Sequence, residues 1–394
     1  MAEQLKRRIG PGLLTLYGIG IMVGAGIYVL TGAAAGEAGL WAPLAFVLAA
    51  IIAVPTALTF AELSVRIPEA AADSAYIEKG LGLHWLAMVV GWINIIAGTV
   101  AAAAVLRGGV GYLLSLVDLP FVWATVGLGL ALTAIAIIGV VESLAFAALL
   151  TLVEVIGLLL VIGAGFAGPP VADWSLPLPA PEWSGVMAAT IFAFFAYIGF
   201  DDMANMAEET RDPGRTMPRA ILAALAVTGL LYCLVSLAAV RIVPREVLAG
   251  SERPLALVWE AGSGTASGFL SAIAVAAALN GVLAQVVMAS RVLFGLGKRS
   301  PVLGIFRHAH PRFGTPVLAS ILVGLSVIGA ALALPVATLA GITSQALLIV
   351  FAIVNAALIA LKRQGGPTPF DVPRWVPWLG LVACLMAFAG SLLP

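Results

Sequence analysis

Phe194-Phe195-Ala196-Tyr197-Ile198-Gly199-Phe200-Asp201-Asp202 decides how this chain is read. A glycine and two carboxylates stand inside a stretch, 184–206, that is otherwise apolar enough to cross a bilayer, for which roughly 20 helical residues suffice. An unbroken helix gives no reason to place Asp201 and Asp202 there. A helix that unwinds and restarts does, because a carboxylate satisfies the orphan N–H groups of a new first turn. A second interruption lies upstream, where Gly18-Ile19-Gly20-Ile21-Met22-Val23-Gly24-Ala25-Gly26-Ile27-Tyr28 carries four glycines. Each costs up to about 1 kcal/mol of helix propensity relative to alanine. Close helix packing through Gly20 and Gly24 is the competing explanation for that run.

The surroundings of these two stretches set the class of protein. The 394 residues are 62% hydrophobic and only 10% charged, against roughly 25% charged in soluble domains. Eleven apolar stretches of spanning length follow, near 11–34, 40–65, 84–106, 120–140, 142–167, 184–206, 219–240, 266–292, 315–334, 337–361 and 375–393. They do not alternate as barrel strands would, so the expectation is an all-α integral membrane protein forming one domain over 1–394. The apolar part of the first stretch is longer than a signal-peptide core of roughly 7–15 residues, so it is read as the first helix. With the N-terminus inside, 16 of the 20 basic residues fall in inner segments, from Lys6, Arg7 and Arg8 to Lys362, Arg363 and Arg374. Such a bias is what orients helices in a membrane, here with a cytoplasmic N-terminus in the cell's plasma membrane.

Gly24 and Gly199 are 175 residues apart, and the same offset carries the start of the second stretch, near residue 41, to 216, just before the seventh. Two repeats of five spans, about 11–167 and 184–361, with an extra helix at 375–393, account for this. An odd number of spans inserts the second repeat upside down, which is the plan of secondary transporters whose broken helices meet at the midplane. Unwound backbone at that depth is tolerated only where it lines a cavity or is buried in protein.

At these residues the chain resembles the amino acid–polyamine–organocation family of transporters. The likeness rests on Val23-Gly24-Ala25-Gly26-Ile27-Tyr28, on Phe60-Ala61-Glu62-Leu63 with Pro68 and Tyr76, and on the block from Phe194 through Glu208-Glu209, Pro213, Arg215 and Pro218-Arg219-Ala220-Ile221. That last block is most similar to the cationic amino acid transporter branch and its bacterial relatives. Glu69-Ala70-Ala71-Ala72-Asp73 departs from the family's pattern, where glycines usually follow the proline. The resemblance implies the LeuT-like five-plus-five inverted repeat with helices 1 and 6 broken. It also implies a substrate carboxylate held by N–H groups at Gly24, Ala25 and Gly26, and an ammonium held by carbonyls at Val23, Phe195, Ala196 and Ile198, beside Gly199. Half-helix ends agree with this independently, being partly positive at an N-terminus and partly negative at a C-terminus. Tyr197 and Phe200 are expected either to form the wall or gate of such a site or to pack as ordinary aromatics.

Glu154 stands alone in Leu152-Val153-Glu154-Val155-Ile156-Gly157. A carboxylate at mid-membrane costs about 2.5 kcal/mol or more on insertion scales, which makes it a functional candidate or a polar crosslink. The resemblance places it where proton-coupled relatives carry a lysine. Either Glu154 or Asp201 is then the expected coupling group, Asp201 having a helix cap as its alternative role. Glu208, Glu209, Arg211, Arg215 and Arg219 read as a salt-bridged inner connector.

The expected activity is therefore a permease moving an amino acid by alternating access with protons as the coupling partner. A polyamine carrier and an exchanger without proton coupling are the alternatives, and a membrane enzyme or channel stands further off. Twenty basic and twenty acidic residues leave no excess positive charge for nucleic acid. Gly295-Leu296-Gly297-Lys298-Arg299-Ser300 lacks the first glycine of a Walker A loop, and Gly163-Ala164-Gly165-Phe166-Ala167-Gly168 precedes two prolines instead of opening a helix, so no nucleotide cofactor is expected. Adjacent Asp201 and Asp202 cannot face each other as a protease dyad. His308 and His310 lack further ligands at metal spacing, and Cys233 and Cys384 are unpaired in sequence.

Overall fold

The computed structural model describes residues 9–68, 72–139, 144–172, 174, 179–299, 301–366 and 368–392. Expectations that touch Lys6, Arg7, Arg8, Glu69, Ala70 and Ala71 lie outside them. The first half of the chain holds α1 (Pro11–Ala38), α2 (Ala42–Arg66), the short α3 (Ala72–Leu81), α4 (His84–Leu113), α5 (Phe121–Ile138) and α6 (Leu144–Ala167). The second begins with α7 (Trp183–Tyr197) and a 3₁₀ segment, Asp202–Glu209, followed by α8 (Pro213–Ile242), the short α9 (Arg245–Ala249) and α10 (Pro254–Ser263). Then come α11 (Gly268–Arg299), α12 (Val317–Ala333), α13 (Val336–Gln364) and α14 (Trp375–Gly390). Each of the eleven expected stretches overlaps a helix, that over 184–206 only in part. Eight helical stretches among the described residues are long and apolar enough to cross a membrane, and Pro11–Gly24, Val317–Ala333 and Trp375–Gly390 are shorter apolar helices.

Local chemistry explains the boundaries. Pro11 sits in the first turn of α1, where its fixed φ suits a helix and its missing N–H costs nothing. Gly139 and Gly264 end α5 and α10 in left-handed backbone, the conformation glycine adopts without strain. Large apolar side chains such as Ile51, Trp123, Leu325 and Met386 stay exposed on outward faces, as a lipid solvent requires.

Two groups of helices divide the interior. α1, α2, α7 and α8 pack together, as do α4, α5, α11 and α12, while α13 lies against α4, α7 and α14. Both ends of α1 are tied down. At one end Ile9 pairs with the loop before α8, its N–H donating to the Glu209 carbonyl at 3.1 Å and its carbonyl accepting from the Arg211 N–H at 2.9 Å. At the other, Gly32 and Gly36 lie so close to Leu248 and Ala249 that no Cβ would fit without displacement.

A polar seam joins α2, α13 and α14. Thr59 donates to Asn355 at 2.7 Å, Asn355 donates to Thr56 at 2.9 Å, and Thr56 lies 3.5 Å from the Cys384 sulfur. At the seam's charged end, Glu62 is fully buried and accepts from Arg66 Nε at 2.6 Å, Lys362 Nζ at 2.8 Å and the Val372 N–H at 2.8 Å. Three donors offset the desolvation of one carboxylate.

Candidate functional site

The two interrupted stretches come together in the packed group of α1, α2, α7 and α8. Within α1, Gly24 leaves helical geometry with φ 17° and ψ −154°. α7 stops at Tyr197, Ile198 is extended with φ −60° and ψ 135°, and Gly199 has φ 125°, a region open in practice to glycine alone. The chain resumes at Asp202 as a 3₁₀ helix and not as a continued α-helix, so the expected span over 184–206 is helical only to Tyr197 before the break. A Cβ on Gly199 would run into the Ile21 side chain, and one on Gly26 would touch the Ala196 Cα at 3.5 Å and the Phe195 ring at 3.7 Å. The glycines therefore let α1 and α7 approach break to break.

Gly24 differs from its neighbours in the run. A Cβ there would meet nothing within 4 Å, whereas Gly20 is pressed against Thr151 of α6. Close packing accounts for Gly20, and open space beside the unwound backbone accounts for Gly24.

Tyr232 of α8 holds the two breaks. Its buried hydroxyl lies 2.5 Å from the Met22 carbonyl and 2.9 Å from the Ala196 carbonyl, one on each broken stretch. A hydroxyl carries a single proton, so the two carbonyls share one donor. Of the carbonyls expected to meet an ammonium, that of Ala196 holds Tyr232 and that of Phe195 accepts the Ile198 N–H at 3.1 Å. Each retains a second lone pair. Val23 and Gly26 are buried beside the break, and Ile198 is half-buried.

Asp201 is a cap of a different kind from the one expected. Its Oδ1 accepts the Gly199 N–H at 3.0 Å and makes no side-chain cap to the 3₁₀ helix that follows. It staples the break from within. Asp73 of α3 accepts from Asn94 Nδ2 of α4 at 2.8 Å. Burial, then the charge of Asp201, raise the Asp73 carboxyl to about 7 against the opposing Asn94 hydrogen bond.

Tyr197 and Phe200 both pack against neighbouring aromatic or backbone groups. The Tyr197 hydroxyl donates to the Phe46 carbonyl of α2 at 3.1 Å, and Phe200 is buried against Phe60 and Phe351 with ring centroids 5.9 and 5.2 Å apart. Phe46 also meets Tyr232 edge-on at 5.8 Å.

Glu154 is 3% exposed and forms no side-chain hydrogen bond among the described residues, with Oε2 fully enclosed. Its backbone carbonyl accepts the Tyr28 hydroxyl at 3.1 Å, and its carboxyl is within electrostatic reach of the Tyr28 and Tyr232 hydroxyls. The chain of tyrosines continues outward, since Tyr112 donates to the Tyr28 carbonyl at 2.6 Å and accepts the Leu255 N–H at 3.3 Å.

Sequence reasoning passed over Tyr112 and Tyr232. The usable signal was their scarcity: the chain has six tyrosines, and a buried phenol in an apolar span must find an acceptor that an intact helix does not spare. The inner connector also differs from expectation. Among the described residues its ion pair is Arg215 with Asp212 at 3.9 Å, and Glu209 acts through its backbone, while the Glu208 side chain lies outside the described residues. His310 accepts the Arg312 N–H and stacks on Phe313, and no group of metal-ligating side chains occurs among the described residues.

Residues 13–394 match the family model described as amino acid permease. The branched-chain amino acid permease BcaP of Bacillus subtilis (strain 168) is 29% identical across 97% of this chain and 88% of its own length. The methylthioribose transporter of the same organism is 31% identical across 92% and 83%, and human cationic amino acid transporter 4 is 29% identical across 94% and 62%. These relatives are transporters and not enzymes. A match over nearly the whole chain, on an all-helical membrane architecture with both breaks where the motifs lie, makes this integral membrane protein a member of the amino acid permease family.

Proposed function

We propose that the protein is a secondary transporter that carries an amino acid across the plasma membrane by alternating access, with an inverted five-plus-five repeat, eleven crossings and a cytoplasmic N-terminus. The carrying observation is the meeting of two unwound segments, at Gly24 and at Ile198–Gly199, beside open space. N–H groups at Gly24, Ala25 and Gly26 suit a carboxylate, and the carbonyls of Val23, Phe195, Ala196 and Ile198 suit an ammonium, so a zwitterion satisfies both half-helix ends. The relatives' printed functions include branched-chain and cationic amino acids, which support a zwitterion, and methylthioribose, which carries neither a carboxylate nor an ammonium and keeps a non-amino-acid substrate in the test below.

Proton coupling follows from Glu154. An unpaired carboxyl enclosed in apolar surroundings is tolerated neutral and costly ionised, so it changes state when the site opens to water. Asp201 fits this role less well because its carboxylate is engaged by the Gly199 N–H.

A thermal-shift screen of purified protein against all amino acids, common polyamines and methylthioribose identifies the substrate, since a ligand stabilises by RT ln(1 + [L]/Kd). The decarboxylated amine of the best amino acid should bind at least tenfold more weakly, about 1.4 kcal/mol. Equal binding of the amine would replace the zwitterion with a polyamine. In liposomes Glu154→Gln should lose pH-gradient-driven accumulation while exchange at equal pH survives, and a Gln variant that still concentrates substrate as the parent does removes Glu154 from coupling.

A further inference from the structure

The end of the molecule that carries Glu62 holds a second polar feature, which transport of a zwitterion does not use. A cavity of about 390 Å³ lies between the end of α2, the end of α13 and the start of α14, lined by Arg66, Lys362, Gly365, Gly366, Asp371 and Arg374. That volume falls within the range of small-molecule sites.

Its charges do not cancel. Arg66 and Lys362 are matched by Glu62 and Asp371, the latter contacting Arg66 at 3.2 Å and Lys362 at 2.7 Å. Arg374 is a third cation, exposed and without an ion-pair partner among the described residues. The Lys362 hydrogen bond holds the Asp371 carboxyl below the usual carboxylate range, so it stays ionised, and its side chain is 64% exposed to water. One positive charge is left over.

The backbone adds donors. Gly365 and Gly366 leave α13 with φ 78° and 116°, and no hydrogen bond from either N–H forms among the described residues. A Cβ on either would meet nothing within 4 Å, so the floor is open. Arg374 occupies the N-cap of the 16-residue α14, where the helix dipole is positive. Trp375 and Trp378 of the first turn are 64% and 48% exposed, as aromatics at the bilayer surface are, which sets the mouth of the cavity at headgroup level.

We propose that this cavity binds a phosphate group, presented by the headgroup of an anionic phospholipid. Arg66 has N–H groups left after its bonds to Glu62 and Asp371, and a guanidinium fork matches two phosphate oxygens. Arg374 supplies the surplus charge, and the glycine N–H groups, without a partner among the described residues, are further available donors. The bound group clamps α14 to α2 and α13, in line with the seam through Asn355. The proposal needs only the membrane class and is independent of the substrate.

The test uses the full chain purified in a neutral detergent. Its melting midpoint is followed as phosphatidylglycerol, phosphatidylcholine or inorganic phosphate is added at constant ionic strength. Phosphatidylglycerol should stabilise saturably and phosphatidylcholine should not. Arg374→Gln should raise the phosphatidylglycerol concentration needed at least tenfold, Asp371→Asn should lower it, and Arg363→Gln, an exposed neighbour outside the cavity, should leave it unchanged. Equal stabilisation by the two lipids, or equal effects of Arg374→Gln and Arg363→Gln, overturns the site in favour of plain surface attraction. Inorganic phosphate acting as strongly as phosphatidylglycerol overturns the lipid source and leaves the free anion as occupant. Both arginines are exposed, and size exclusion of each variant verifies that it is folded.

Discussion

Tyr232→Phe removes one oxygen from the point where the two broken stretches meet. The ring loses no packing, since its contacts with Phe46 and with Tyr197, 5.2 Å away, need no hydroxyl. What disappears is the donor shared by the Met22 and Ala196 carbonyls at 2.5 and 2.9 Å in a fully buried position. One net hydrogen bond is worth about 0.5–1.5 kcal/mol, and leaving a buried acceptor short costs about 1–3 kcal/mol. Tyr197→Phe is the natural control. It also loses one hydroxyl, but that hydroxyl bonds the Phe46 carbonyl within the unbroken α2, which keeps its helical partner. The expected loss for Tyr232→Phe is thus about 1–3 kcal/mol, and for Tyr197→Phe about 1 kcal/mol or less. The assay is the apparent melting midpoint in detergent at one fixed scan rate, because unfolding of such proteins is governed by rate. The parent's best ligand is then titrated against both variants. Substrate should recover more stability in Tyr232→Phe than in Tyr197→Phe, since an ammonium supplies the donor the carbonyls have lost. Equal destabilisation by the two variants, with equal substrate effects, would refute the view that this hydroxyl holds the breaks.

Gly24→Ala places a methyl in open space beside the unwound backbone, so the concentration of substrate needed to raise the variant's own ligand-free midpoint should increase at least tenfold; an unchanged requirement would move the site away from Gly24. Gly199→Ala meets the Ile21 side chain at φ 125° and should cost about 1–3 kcal/mol from backbone strain alone, visible as a lowered midpoint, so a variant as stable as the parent would contradict the described break. Asp73 bears on pH. A carboxyl raised from 3.8 to about 7 binds more protons folded than unfolded, so its contribution is present below pH 3.8 and is lost as pH rises toward 7. The ceiling is about 4 kcal/mol, reduced by solvent screening because the side chain is partly exposed. Asp73→Asn should flatten the fall in melting midpoint between pH 5 and about pH 7, and an unaltered slope would assign it to other groups.

Much of this protein is legible in the chain itself. Hydrophobic length is a local property, so the apolar stretches, and with them the membrane class, follow from composition within windows of roughly 20 residues. The breaks are local as well: glycines at 24, 26 and 199 and the carboxylate of Asp201 weaken helix regardless of what surrounds them. Other features exist only between segments far apart in sequence. Tyr232 meets Met22 across 210 residues and Glu62 meets Lys362 across 300, and no periodicity encodes such pairs. The same holds for roles that depend on what is missing. Gly20 packs while Gly24 faces open space, although both sit in one motif, because Thr151 of another helix fills the first position and nothing fills the second. Tyr197 and Phe200 border the break in sequence yet both meet neighbouring aromatics, Tyr197 from the last turn of α7 and Phe200 after the unwinding at Ile198–Gly199 has turned the chain out of helical register. Glu154 was visible as a carboxylate out of place, but its lack of a partner became apparent only once α1 and α8 were packed around it. A residue's chemistry is written in sequence, whereas its solvation and its partners belong to the assembled interior.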